Sequence, residues 1–322
     1  MTCCLSRLPT CLSVIATIAV LAKTAAAQPT EVAADRGGAG SRPTTEAGPR
    51  EHRLHWRWRR FGVWDYVATG ALGAAYFAVE FGTKQPPEPK WTGAVLFDAA
   101  ARDSLVADTY DGRARADRLS DYFSLMPMAV LWAETLAVPV LFDDNNWDVV
   151  WHLTVINLQS SALSGLLTRG GNRIAVRERP DVSNCHEDPD YSPGCYRGET
   201  ASFPSGHTSM AFLGAGLSCA HHLNLGLYGN GAADSVMCIV LGAGATATGM
   251  LRVMADRHYV SDTLTGAAIG IGSGFVLPML LHYSGGGDSE GAETSQSATA
   301  FRWTVAPLSG WEAVGLSVYG WF

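Results

Sequence analysis

Apolar residues along this chain gather into six long stretches separated by polar segments: Trp64–Thr83, Asp121–Phe142, Trp147–Thr168, Pro204–Leu225, Ser235–Leu251 and His258–Tyr283. Each approaches the ~20 residues that a helix needs to cross a bilayer. Ser235–Leu251 carries no Asp, Glu, Lys or Arg, and His258–Tyr283 carries only Asp262, near its start. The first three carry single acids (Asp65, Glu80, Asp121, Glu134 and Asp148), mostly near their ends. Gly266, Gly270 and Gly274 recur every four residues in the last stretch, a small-residue stripe that lets two membrane helices approach closely. The pattern predicts an all-α fold, a six-helix membrane-embedded bundle. The core helices of a soluble all-helical protein would be the alternative source of such a pattern.

The ends read differently. In residues 1–27, Arg7 precedes an apolar run from Leu12 to Leu21, followed by small residues at Ala25 and Ala27. That is the layout of a secretory signal cleaved near Ala27. Residues 28–52 are rich in Ala, Gly, Pro, Thr and charge and are expected to form a disordered linker. The helical domain is expected over 60–283. A second Gly/Ser-rich linker covers 284–300, and the alternating tail 301–322 reads as a short hairpin.

Composition narrows the partners. The chain has 322 residues, 47% of them hydrophobic, and a net charge of −7. That negative net charge argues against a nucleic acid as an expected partner. Of seven cysteines, Cys3, Cys4 and Cys11 fall in the signal-like segment, and Cys219 and Cys238 read as small core residues of apolar helices. Cys185 and Cys195 bracket the polar "HEDPDYSPG". In an oxidising compartment they would close a small ring worth roughly 3 kcal/mol, and in a reducing one they would be two free thiols.

Three clusters bear chemistry. "PSGH" at Pro204–His207 reads as a helix start, with Ser205 as cap and Gly206 open to close approach, where backbone N–H groups and the helix dipole favour an anion. "RHYVSD" places His258 and Asp262 four residues apart, on one helix face. A carboxylate there can hold the imidazole in the tautomer whose other nitrogen is a free nucleophile. "NRIAVRERPD" supplies Arg173, Arg177 and Arg179. With six spans, all three clusters share one side of the membrane. Histidine can attack phosphorus and arginines bind its oxygens, so the anion expected there is a phosphoryl group.

The order of these clusters resembles the type 2 phosphatidic acid phosphatase superfamily, which includes lipid phosphate phosphatases, class A acid phosphatases and vanadium haloperoxidases. Its pattern is Lys-x6-Arg-Pro, Pro-Ser-Gly-His and Ser-Arg-x5-His-x3-Asp, and the resemblance covers about Trp64 to Tyr283. It implies a metal-independent phosphatase without cofactor, acting on lipid phosphates or other phosphomonoesters. His258 would be the nucleophile, Asp262 its orienting partner and His207 the general acid. Arg179, Arg252, Ser205 and Gly206 would hold the phosphoryl oxygens. Two positions depart from the pattern: Asn172 stands at the lysine and Leu251 at the serine. Asn172 brings a donor but no charge, and Arg173 is the candidate to supply that charge; otherwise the site runs without it. A soluble secreted acid phosphatase and a weakened lipid-phosphate-binding or transport protein remain the other readings. The basic "RLHWRWRR" before the first helix is expected to stay cytoplasmic. That puts the motifs on the outer face, whereas a cleaved signal would put them inside.

Overall fold

The computed structural model describes residues 53–195 and 198–284, together with the backbone of 302–310 and 313–321. The signal-like segment, the 28–52 linker and residues 285–300 lie outside the described residues. Helix α1 spans Val63–Gly82, α2 Asp98–Leu105, α3 Tyr110–Leu141, α4 Trp147–Ala175 and α5 Val182–Glu187. Helix α6 follows at Gly206–Leu225 and α7 at Gly231–Met254. The last, α8, runs over Val260–Leu281 with a π-helical turn at Gly272–Val276 inside it. Strands β1 (Arg302–Gly310) and β2 (Ala313–Trp321) form a separate antiparallel pair, with Arg302 opposite Trp321 and Gly310 opposite Ala313.

Helix ends follow the side chains that can satisfy free backbone groups. Asn230 Oδ1 accepts from the N–H groups of Ala232 and Ala233 at 3.0 and 3.1 Å to start α7, and Thr109 Oγ1 accepts from Gly112 at 3.1 Å to start α3. Gly226, at φ 61°, ends α6 in the left-handed conformation. Helix α3 therefore begins well before the expected Asp121. Its first turns are charged, which hid them from an apolar pattern, but Arg113 turns inward and donates to the Tyr191 carbonyl at 2.7 Å.

Helix α6 is the centre of the bundle, packed against α3, α7 and α8, while α1 packs on α4. Leu131, Leu153, Ile156, Leu213 and Leu217 form the main core. The glycine stripe lies on the crossing of α8 with α6. A side chain at Gly266 would strike the Ser205 carbonyl, one at Gly270 the Ser209 carbonyl at 2.5 Å, and one at Gly274 the Leu213 carbonyl at 2.5 Å. Both helices thus present every fourth residue, and glycine alone permits the contact. The Gly266 contact reaches the residue that caps α6, so this crossing also sets the position of the "PSGH" loop.

On length and composition three described helices, α3, α7 and α8, can cross a membrane. The other three expected spans are helical too, as α1, α4 and α6, but are not among the helices apolar enough over a spanning length. Helix α4 carries the buried Asn157, Gln159 and Asn172, and α6 carries His207, His221 and His222. Helix α1 has no buried residue, and Trp64 and Phe81 are 81% and 79% exposed.

Both cysteine expectations meet a definite outcome. Cys185 and Cys195 form a disulfide, with Cα atoms 5.4 Å apart. Cys219 and Cys238, expected as separate core residues, are also bonded to each other, with Cα atoms 4.8 Å apart. The bond joins α6 to α7 where the two helices pack against each other.

Candidate active site

His258 lies in the turn between α7 and α8, and its neighbours are fixed before it is. Asp256 takes the left-handed conformation at φ 57° and is gripped by Arg102 of α2 at 2.6 and 2.7 Å. It also accepts from the Tyr191 hydroxyl at 3.0 Å. Arg257 donates to Asp181 at 2.9 Å and to the Gly194 carbonyl at 2.6 Å. The loop that the Cys185–Cys195 bond closes thus buttresses the turn from one side and α2 from the other.

The imidazole is 2% exposed. Its Nδ1 lies 2.8 Å from the Ser202 carbonyl oxygen, which can only accept, so Nδ1 carries the proton. Nε2 is left with its lone pair, facing Arg179 Nη1 at 3.3 Å. Burial, with the guanidiniums of Arg179 and Arg252 behind it, holds the His258 pKa well below the ordinary value of 6.5. The sign is clear. A depressed pKa keeps the ring neutral, and its lone pair available, at pH values where an ordinary histidine is protonated. Removing the positive charge in Arg179→Ala should let His258 protonate at higher pH than in the wild type. NMR titration of ring-labelled histidine, with His258→Ala identifying the resonance, checks this; an unmoved or lowered midpoint refutes it.

Asp262 does not reach the ring as expected. Its Oδ2 stands 3.8 Å from His258 Nδ1 and accepts instead from Ser202 Oγ at 2.6 Å and from the Tyr259 N–H at 2.9 Å. The reason is local: as the third residue of α8, Asp262 turns back to satisfy the free N–H at the helix start. It therefore bears on His258 through Ser202, whose hydroxyl it holds and whose carbonyl holds the ring. Its other oxygen accepts from Arg177 Nη1 at 2.6 Å, and Arg177 also donates to Asp98 at 2.8 Å.

A cavity of about 680 Å³ opens from His258 between α1, α4 and α6. Asn172, Arg179, Gly206, His207 and His258 make a polar end, while Gly73, Tyr76, Phe77, Met128, Leu158 and Leu213 make apolar walls. His207 places Nε2 3.0 Å from Asp121 Oδ1. Asn172 lines the cavity but gives its amide to the Pro204 carbonyl at 3.0 Å, tying the "PSGH" loop to α4.

Three of the expected phosphate ligands are turned elsewhere. Arg252 donates to Asp117 at 2.7 Å and to Ser120 at 3.2 Å, and it is not part of the cavity wall. Ser205 is fully buried as the cap of α6, its Oγ 3.0 Å from Thr208 Oγ1. Arg173 donates to Gln85 Oε1 at 2.6 Å and to Thr83 Oγ1 at 3.1 Å, away from the cavity. One residue step turns a helix by about 100°, so a neighbour of Asn172 on α4 cannot share its direction.

The sequence pattern gave no role at the site to Asp98, Ser202 or Asp121, and Arg177 only a place among the arginines of its cluster. Ser202 lies two residues before the "PSGH" cluster. Asp98 and Asp121 lie far from any motif, and only the fold connects them to it.

The family model of the PAP2 superfamily matches residues 149–285. No curated protein and no solved structure matches the chain.

Proposed function

With residues 149–285 belonging to the PAP2 superfamily, we propose that this protein is a membrane phosphatase that cleaves phosphomonoesters or pyrophosphates of lipids through a phosphohistidine. The observation that carries the reading is the free Nε2 of His258, 3.3 Å from the Arg179 guanidinium, at the polar end of a cavity with apolar walls. A phosphoryl group at that end meets the nucleophile and a cation together, and the apolar walls suit a hydrocarbon chain.

In this reading Nε2 attacks phosphorus and forms the P–N bond as the P–O bond to the lipid breaks. Arg179 turns its donors from Nε2 to the phosphoryl oxygens, and His207 protonates the departing alkoxide. His207, now neutral, takes a proton from water as the water attacks phosphorus, and the P–N bond breaks to regenerate His258. Every step uses side chains of this chain alone.

The outer-face placement has its own support. Arg59 and Arg60, ahead of α1, pair with Asp65 and Asp148 at the starts of α1 and α4. His207 and His258 lie toward the opposite ends of those helices, where Arg257, next to His258, donates to Gly194 in the loop of the Cys185–Cys195 disulfide. Basic residues at the end away from the histidines are the polarity of a protein whose active site faces out; the two disulfides lie toward opposite ends of the bundle and do not set it.

The test is release of phosphate by the detergent-purified protein from a long-chain lipid phosphate and from a short water-soluble ester. We expect turnover of both, a preference for the lipid, and no effect of a chelator. Turnover of the soluble ester alone would favour a general acid phosphatase. Binding without turnover would favour a transport or binding role.

A further inference from the structure

We propose that Arg169 supplies the phosphoryl-binding charge that Asn172 lacks; this rests on the phosphatase reading above. A phosphate monoester carries close to two negative charges at neutral pH, and the polar end of the cavity offers it Arg179. Arg252 is held by Asp117, and Arg173 faces Thr83 and Gln85. Among the described residues, the only other arginine or lysine on the cavity wall is Arg169. It lies three residues before Asn172 on α4, on the same face and roughly 4.5 Å along the axis. The position expected for a lysine and the position of this arginine are therefore neighbours on one wall.

The state of the Arg169 side chain fits the role. Its Nε pairs with Glu80 of α1 at 2.9 Å, and the side chain is 47% exposed. Glu80 thus lies beside the guanidinium as an ion pair without accepting a hydrogen bond from it, and a forked guanidinium can take two oxygens of one phosphoryl group. The arginine starts one turn deeper than Asn172, and the length of its side chain is enough to span that offset along the cavity wall the two residues share. Asn172, relieved of binding charge, serves instead to anchor the Pro204 carbonyl.

Binding of orthovanadate and of inorganic phosphate, titrated on the purified full chain, tests this without turnover. An inert wild type would then count against the catalytic reading alone. Arg169→Ala combined with Glu80→Gln removes both charges of the pair, so neither is left unmatched in the protein. This variant, with an unchanged melting curve, should bind orthovanadate about 10–100-fold more weakly, as loss of a charged hydrogen-bond donor pair does. Arg169→Lys should keep most of the affinity. Adding Asn172→Lys to the double variant should recover at least part of it, because the charge returns to the same wall. Affinity within about twofold of wild type in the double variant would overturn the proposal, as would an Arg169→Lys protein as weak as the double variant.

Discussion

Replacing His258 by alanine is expected to abolish phosphate release, with a fall in kcat on the order of 10⁴–10⁶, the scale seen when a covalent nucleophile is removed. No other side chain can take over. Nε2 of His258 carries the free lone pair at the polar end of the cavity, whereas His207 stands with its Nε2 3.0 Å from Asp121. The effect should contrast with that of His207→Ala. A general acid contributes roughly 10²–10⁴-fold, and its loss matters least when the leaving group departs without a proton. With an activated ester, His207→Ala should therefore still form the phosphoenzyme but hydrolyse it slowly. Acid-labile, alkali-stable phosphate would then build up on the protein. Quenching both variants during turnover and counting protein-bound phosphate checks this. Substantial steady turnover by His258→Ala would remove His258 from the nucleophile's role.

How far the sequence disclosed this arrangement depends on the range over which each feature is specified. The glycine stripe was legible because its cause is local: a fourfold repeat of the smallest residue admits a neighbouring backbone, and the α6 carbonyls occupy that space. His207 and His258 were legible because their motifs carry their own turn and helix start. The second coordination of His258 was not. Its ring is held by the carbonyl of Ser202, 56 residues away, and backbone carbonyls leave no mark in a sequence. Arg173 and Arg169 show the same limit from the other side. Charge and proximity in sequence favoured Arg173, one residue from Asn172. Helix geometry instead favours residues three or four apart, and the cavity wall follows the helix.

The polar segment between α1 and α3 misled more deeply. Residues 83–109 contain no apolar run near spanning length, yet they deliver Trp91, Asp98 and Arg102 to the site. Likewise the first turns of α3 bring Asp117 and, one turn on, Asp121 to Arg252 and His207. Each acid is an ordinary solvated residue until its partner, 79 or more positions away, is in place. A pattern-based reading sees only the unpaired half.

The Arg177 network shows how much rests on such pairings. The side chain is 0% exposed, lies between Asp98 (1%) and Asp262 (0%), and is sandwiched by the Trp91 and Tyr259 rings at 4.0 and 4.1 Å. It donates to Asp98 at 2.8 Å, to Asp262 at 2.6 Å and to the Gly93 carbonyl at 2.9 Å. Arg177→Met keeps much of the volume but leaves two buried carboxylates facing each other without a cation. Breaking a buried ion pair from one side costs about 3–5 kcal/mol, so melting should fall by about 10 °C. Arg177→Met combined with Asp98→Asn should regain part of the loss, since one of the stranded charges is gone. The same substitution should reach the chemistry. Asp262, freed from Arg177, loses its fixed grip on the Ser202 hydroxyl, and the Ser202 carbonyl is what sets the His258 tautomer. The surviving folded enzyme should therefore show a lower kcat with little change in KM, because Arg179 and the apolar walls still bind the substrate. Melting and steady-state kinetics on the single and double variants separate the two effects. An unshifted melting curve for Arg177→Met would mean that the two aspartates relax to other partners, and that Asp262 is held at the site by Ser202 and the Tyr259 N–H alone.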